Sequence, residues 1–393
     1  MRRISRVTYA YMQEMKRIIS DSAVWASFFI ISIIVAWAYT YVYSYEVTND
    51  VHIAVVDECR TSESRQLIRM INATEQVSVS ESPSDFDAAR ELFYQGKVHG
   101  IVVIPRDFSE KIYKKMRPSV SGYYDVAYFI YYKQVYKAVA TSIAYMNAGI
   151  ELKGLTAQGV SNHQAMNTIK AINAQTVTLF NPNGGYATFA MPMVYLLIIQ
   201  TLLLTGIGLL GGTQREKKEF LQNHYTVRTI RGVIATLLGK AGSYSTIALL
   251  YITIVLGIIM PFFDIPQRAK LIDVYLFMLP FFLSVAFMGL FLIRFFKHRE
   301  DAVMTISFTS IPFLILSGIS WPVESLPKLL QFLSQFIPST TAIKGFVSLT
   351  QGGVALTDIH DMYLKMWLIC LFYFVLCVFF FNSYRKKNEN ELV

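Results

Sequence analysis

The chain of 393 residues is 53% apolar and 14% aromatic, and only 16% of its residues are charged. Soluble domains carry about 25% charged residues, so this composition excludes an ordinary soluble protein and indicates a chain surrounded by lipid. The net charge of +9 then reflects orientation in a membrane and contact with anionic lipid heads, and we expect no nucleic-acid partner.

Residues 1–22 form the first predicted element. Basic side chains lie opposite an apolar stripe made of Ile4, Val7, Tyr11, Met15, Ile18 and Ile19. This pattern is typical of an amphipathic helix in the membrane interface, which we place on the cytosolic side. The apolar run 23–43 follows, and it is long enough to be the first transmembrane helix.

Residues 45–186 change to short β-rich runs that alternate with helical stretches. We predict strands at 52–57, 76–80, 98–105 and 119–124, with helices at 62–71, 84–94 and 107–116 between them. This alternation predicts a compact α/β domain with a small sheet. Long helical patterns at 126–152 and 161–178 then return the chain to the membrane.

Residues 187–384 are predicted to be a transmembrane domain of five helices. Its uncharged runs are 187–210, 241–263, 274–293, 302–320 and 366–384, each able to cross a core of about 30 Å. Segment 211–240 would be a cytosolic coupling loop, 321–345 an external re-entrant or interfacial element, and 385–393 a cytosolic tail. With both termini inside, the cytosolic segments hold the entire charge of +9, as the positive-inside rule requires.

No ionisable residue lies within the predicted spans, whose main polar side chains are Gln200, Thr201, Thr305 and Thr309. A proton- or sodium-coupled carrier is therefore disfavoured. The only candidate for a phosphate-binding loop, Gly239-Lys240, lacks the glycine spacing that such a loop needs. We predict no catalytic residue, cofactor or metal, and an energy source outside this chain.

One acidic pair in the external domain suggests a different activity. Asp85 and Asp87 resemble the metal-binding DxD pair of some glycosyltransferases, whereas Ser84 and Asp87 fit a capping box at a helix start. Helix capping is the favoured interpretation because it needs no further residues. A membrane glycosyltransferase stays as the less favoured alternative, and a membrane receptor or scaffold with a large external domain as another.

Four segments, in the same order, resemble ABC-2 type permeases, the transmembrane subunits of bacterial ABC exporters. They are HIAVVDECRTSESRQL, GKVHGIVVIPRDFSEKI, FNPNGGYATFAMP and LSGISWPVESLPKLLQFLSQFIPSTTAIKGF. The resemblance is to the subgroup whose first two membrane helices flank a large external domain. It implies a fold with six transmembrane helices and an external (periplasmic) α/β domain in the bacterial inner membrane.

The resemblance also implies partners. Two cytosolic ABC ATPase subunits would supply the nucleotide chemistry, so this chain itself would be no enzyme. Two permeases would associate as a homodimer or as a heterodimer with a sister permease. The external domain would either dock a periplasmic adaptor with its outer-membrane channel or handle substrate, and the sequence leaves both readings open.

Candidate site residues follow from the same resemblance. ATPase coupling is carried over onto Arg215 and Glu216, with Glu219 beside them, although the family's Gly-Thr is missing here. The second and fifth spans would meet at the dimer interface and line the route of a hydrophobic or amphipathic substrate. Their candidate lining residues are Tyr195, Gln200, Met304, Thr305, Phe308 and Thr309.

The charge asymmetry makes the topology testable. Single cysteines placed at His163 and Lys217 should respond oppositely to a membrane-impermeant thiol reagent on intact spheroplasts, because only position 163 is predicted to lie outside. Labelling at 217 without labelling at 163 would overturn this arrangement.

Overall fold

The computed structural model describes residues 5–169, 179–181, 184–217 and 229–390, with side chains up to residue 383. The chain divides into two compact units. One comprises Met1–Glu46 and Thr178–Val393, and the other Val47–Val177.

Helix α1, Arg6–Ser20, opens the first unit. Ser5 caps it by accepting a hydrogen bond from the Thr8 backbone N–H at 3.1 Å, which satisfies one of the free donors of the first turn. Asp21 ends α1 and caps the next helix, α2, which runs over Ser22–Val42 with a π-helical turn at Ser27–Ile31.

The second unit is an α/β fold around a four-stranded sheet. Its strands are β1 Val51–Asp57, β2 Val77–Glu81, β3 Gly100–Ile104 and β4 Ser121–Tyr124. Its helices are α3 Ser62–Asn72, α4 Phe86–Tyr94, α5 Phe108–Tyr113, α6 Phe129–Ala157 and α7 Asn162–Ile169. All four predicted strands are therefore confirmed.

The sheet order is β2-β1-β3-β4, with β1 parallel to both of its neighbours and β4 antiparallel to β3. Strand β1 is central and packs on both faces, which explains its nearly unbroken apolar sequence. Ile53 and Val55 lie in a cluster with residues of α3 and α6. Ala54 and Val56 lie in a cluster on the other face.

The first unit continues with seven helices of the described chain. They are α8 Tyr186–Glu216, α9 Ile230–Phe262, α10 Leu271–Leu292, α11 Arg299–Leu316, α12 Lys328–Ser334, α13 Pro338–Thr350 and α14 His360–Asn390. Helix α1 packs along α9, α11 packs on α8, and α10 packs on both α9 and α14. The largest buried side chains between them include Tyr195, Tyr244, Phe277, Phe281 and Phe346.

Five described helical segments are long and apolar enough to cross a membrane: Ser22–Val42, Tyr186–Glu216, Ile230–Phe262, Leu271–Phe295 and Leu356–Ser383. The protein is therefore a mostly helical polytopic membrane protein. The fifth predicted span, 302–320, corresponds to α11, which is outside this set. Its 18 residues rise about 27 Å and begin with Arg299, Glu300 and Asp301, so the apolar part is short.

The buried face of α1 shares Ile18 with the predicted stripe but is otherwise different. The buried residues are Ala10, Glu14 and Ile18, which recur every four positions and so share one face. Of the predicted stripe, Val7 and Ile19 are exposed. The expected apolar face is thus rotated, and a carboxylate lies within the face that contacts the protein.

Candidate functional site

The packing of α1 on α9 depends on a glycine. A Cβ placed on Gly239 would lie 2.6 Å from the Ala10 Cβ and 2.6 Å from the Val7 carbonyl oxygen, closer than real side chains approach. Without that atom the two helix backbones come close together. Ser243 adds a hydrogen bond from its hydroxyl to the Tyr11 carbonyl at 3.2 Å.

Next to this contact lies a buried ion pair. The Lys240 Nζ is 3.0 Å from the Glu14 Oε2, and the two residues are 4% and 1% exposed. The Tyr244 hydroxyl donates to the other carboxylate oxygen at 2.6 Å. Arg17 approaches the same carboxylate at 3.2 Å, and Lys240 also lies 3.5 Å from the Gln214 Oε1 of α8.

These contacts determine the charge state of Glu14. Burial by itself would raise the pKa of this carboxyl, but the Lys240 ammonium and the Tyr244 hydroxyl outweigh it and hold the pKa below the ordinary value. Each charge has lost its hydration, and the attraction between the two charges is needed to offset that loss of free energy. We name Glu14, Lys240, Tyr244 and Gln214 the α1 anchor.

A second ion pair lies where α1 meets α2. The Arg299 guanidinium donates to both carboxylate oxygens of Asp21, at 2.6 and 2.8 Å, the bidentate geometry that makes such pairs strong. The same guanidinium donates to the Thr213 hydroxyl at 2.9 Å. This hydrogen-bonded arginine holds the pKa of Asp21 below its usual value. The pair joins the end of α1, the end of α8 and the start of α11.

Two of the three predicted coupling residues lie at this end of α8. Arg215 donates to the carbonyl oxygens of Ile293 at 2.8 Å and Arg294 at 2.6 Å, so it caps the last turn after α10. Glu216 is exposed and is the last residue of α8. Glu219 lies outside the described residues. Of these positions, Glu216 presents a charge to solvent, whereas Arg215 already has partners within the chain.

The predicted pathway residues fall into two groups. Tyr195 and Gln200 are fully buried inside the helical unit. The Tyr195 hydroxyl lies 2.7 Å from the Thr40 hydroxyl, and the Gln200 Oε1 accepts from the Ser339 backbone N–H at 3.0 Å. The structure therefore holds both side chains in packed surroundings within one chain.

The other group lies on the outward face of α11. Phe308 is 79% and Met304 60% exposed, and they lie one turn apart on the same face. Thr309 donates its hydroxyl to the Thr305 carbonyl at 3.0 Å, so this hydroxyl hydrogen is not free to bind a ligand. A single chain does not bring these residues together with Tyr195 or Gln200.

The acidic pair in the α/β unit has a structural role. Asp85 caps α4 by accepting from the Ala88 backbone N–H at 2.9 Å, so the cap is Asp85 and not the predicted Ser84. Asp87 pairs with Arg90 at 3.0 Å. Across the described part of the chain, no group of three His, Cys, Asp or Glu side chains is arranged to hold a metal ion.

Neither ion pair was predicted from the sequence. The sequence did contain a sign of the first pair. Glu14 lies four positions from both Ala10 and Ile18, so the three residues share one helix face. Asp21 and Arg299 carried none, since they are 278 residues apart and each looks like an ordinary charge at a helix end.

Comparison with known proteins identifies the family. A model described as ABC-2 family transporter protein matches residues 23–380. The linearmycin resistance permease protein LnrN of Bacillus subtilis is 24% identical over 324 residues, which cover 79% of this chain and 82% of that protein. The probable multidrug ABC transporter permease YbhS of Escherichia coli K12 is 20% identical over 373 residues, 88% of this chain and 89% of its own length.

The α1 anchor predicts a large effect of neutralising one charge. Replacing Glu14 by Gln should lower the free energy of unfolding by about 3 kcal/mol, because Lys240 would stay buried without a counter-charge. Denaturant titration of the solubilised protein measures this change.

Two further variants test the cause. The double variant Glu14→Gln with Lys240→Met removes both charges while keeping an acceptor for Tyr244, so it should recover most of the loss. Glu110→Gln breaks an exposed pair with Lys114 and should change little. Equal stability of the single and double variants would contradict the ion-pair explanation.

Proposed function

Because the chain belongs to the ABC-2 family of transporter proteins, we propose that it is the permease subunit of an ATP-driven exporter. The family match over most of the chain carries this proposal, together with the five membrane-length helices. A separate cytosolic ATPase would bind and hydrolyse ATP, and the permease would carry the resulting movement to its cargo route.

The proposed architecture has six membrane helices, with α11 as the fifth and the α/β domain 45–186 on the external (periplasmic) side. Both termini would be cytosolic and the membrane would be the bacterial inner membrane, because this arrangement places the whole charge of +9 inside. The external domain would either dock a periplasmic adaptor or handle substrate.

Coupling to the ATPase is proposed at segment 211–240, which includes the end of α8 and the start of α9, together with α1. The two ion pairs support this proposal, since they join α1 to α8, α9 and α11 through charge-assisted hydrogen bonds. A movement of α1 or of segment 211–240 would therefore be transmitted to the start of α11. Arg215 would stabilise the end of α10 through its hydrogen bonds to the carbonyl oxygens there. Glu216 would contact the ATPase subunit, and Glu219 is close to it in the sequence.

The cargo route is proposed at an interface between two permeases, as a homodimer or with a sister permease. The outward face of α11 supports this, because several of its large apolar side chains are exposed: Val303, Met304, Phe308, Ile311 and Ile315. Tyr195 and Gln200, which are buried, would line the route only if the helices separate during transport, whereas Thr305 is exposed on α11 and Thr309 is half-buried there.

The proposed cargo is hydrophobic or amphipathic. The predicted route carries no charged side chain, so a small ion would find no compensation for its lost hydration. The names of the relatives, which refer to linearmycin resistance and to multidrug transport, support a drug-like molecule moved outward.

The coupling surface predicts a charge-specific effect. Glu216→Lys should reduce the amount of ATPase that co-purifies with the permease several-fold, because it reverses an exposed charge at the proposed contact. Quantitative co-purification measures this. Asp361→Lys is the matched control, since Asp361 is exposed but lies outside the predicted cytosolic segments. Unchanged ATPase recovery with Glu216→Lys would place the contact elsewhere.

The dimer proposal predicts a cross-link. In a background without native cysteines, Phe308→Cys should form a disulfide-linked dimer on mild oxidation in membranes, because the two α11 faces would meet. Leu371→Cys is the control, as Leu371 on α14 is also exposed but lies away from the proposed interface. A dimer yield no higher for position 308 than for position 371 would exclude α11 as the contact.

A further inference from the structure

The turn that joins β4 to α6 in the α/β unit exposes a run of apolar side chains. Val126, Tyr128, Phe129 and Ile130 are all exposed, and the exposed fraction of Phe129 is 69%. Single apolar residues are normal on a protein surface, whereas a contiguous apolar patch marks a surface that contacts a partner or a membrane. We name these four residues the apolar turn.

Polar contacts within the unit hold the apolar turn in place. The Asp125 backbone N–H donates to the His99 carbonyl at 3.1 Å. The Asp125 carboxylate lies 3.3 Å from the His99 Nδ1 and accepts from the Ala127 backbone N–H at 3.1 Å. The Tyr131 ring packs on His99, with the ring centres 4.3 Å apart. The one carboxylate beside the turn is therefore already paired, and the apolar side chains are left at the surface.

Two lysines lie next to the apolar turn. Lys133 and Lys137 follow Phe129 at intervals of four residues along α6, so the three side chains share one helix face. Both lysines are exposed, and neither has an acidic partner among the described residues. A surface that carries anionic groups would supply the missing counter-charges.

The apolar turn lies at the end of the sheet where the chain enters the α/β unit. Gly100, the first residue of β3, pairs with Tyr124, the last residue of β4. Strand β1 is parallel to β3, so its first residue, Val51, lies at the same end. Residues 43–50 connect Val51 to the membrane-length helix α2, and a segment of this length spans at most about 30 Å. This end of the sheet is therefore tethered to a membrane helix.

We propose that the apolar turn inserts into the phospholipid bilayer, at the depth where head groups meet acyl chains. Tyrosine is enriched at this depth in membrane proteins, and apolar side chains such as Phe129 insert into the boundary. Lys133 and Lys137 would reach lipid phosphate groups while their methylene stems cover apolar surface. The contact requires neither the ATPase nor a cargo, so its failure would leave the proposed transport function standing.

Fluorescence quenching by lipid tests this contact. In a background without native cysteines, the full chain with Phe129→Cys is labelled with bimane and placed in nanodiscs of phosphatidylcholine and phosphatidylglycerol. A parallel sample contains phosphatidylcholine with a nitroxide near the top of one acyl chain. Met116→Cys is the matched control, since Met116 is an apolar residue with an exposed fraction of 56%. It precedes β4, whose first residue lies at the opposite end of the sheet.

The nitroxide lipid should reduce the fluorescence at position 129 at least about twofold, because insertion by about 5–10 Å brings the label to the upper acyl chain. Position 116 should change little, and Val126→Cys, a second probe of the same turn, should behave like position 129. Equal quenching at positions 129 and 116 would overturn the proposal. So would a label at 129 that is shielded from aqueous iodide but not quenched by the lipid, since a protein surface would then cover the turn.

The lysines provide a test of charge. Added to Phe129→Cys, the variant Lys133→Glu should weaken quenching by the lipid, because the new carboxylate repels phosphate and also pairs with Lys137 four residues on. Lys153→Glu is the control, as Lys153 is another exposed lysine of α6, and it should leave the quenching unchanged. Equal quenching in these two variants would contradict the assignment of lipid phosphate to Lys133 and Lys137.

Discussion

The helical unit depends on the buried ion pair between Glu14 and Lys240. Two charges removed from water can stay ionised only at close distance and with their remaining hydrogen-bonding positions filled, and here Tyr244 and Gln214 fill some of them. The pair therefore fixes both the rotation of α1 about its axis and its position along α9. Gly239 makes that position possible by letting the backbones touch.

A chain of polar contacts extends from this anchor along one end of the helical unit. Asp21 and Arg299 connect the junction of α1 and α2 to α8 and α11, and Arg215 connects α8 to the end of α10. These groups lie at helix ends, where the free carbonyl and N–H groups of the backbone need partners. Apolar packing between the helices fills the space between the ends, as a membrane protein requires.

The buried polar side chains of the helices differ in how completely they are paired. The Tyr195 hydroxyl lies beside the Thr40 hydroxyl, and the Gln200 Oε1 accepts from the Ser339 backbone N–H. The Gln200 Nε2 and the Gln351 Oε1 are both buried without a partner among the described residues. Each such atom lowers stability, and the packing around it must offset that loss.

Local patterns in the sequence determined the membrane-length helices and the four strands of the α/β unit, because uncharged length and strand-type alternation are read from neighbouring residues. They also predicted the helical class of the protein. They did not determine the buried face of α1, since a stripe with Glu14 looks less apolar than the stripe beside it until Lys240 is present to pair with it. Tyr244 is 230 residues from Glu14 and Arg299 is 278 residues from Asp21, and only tertiary packing brings such distant groups together.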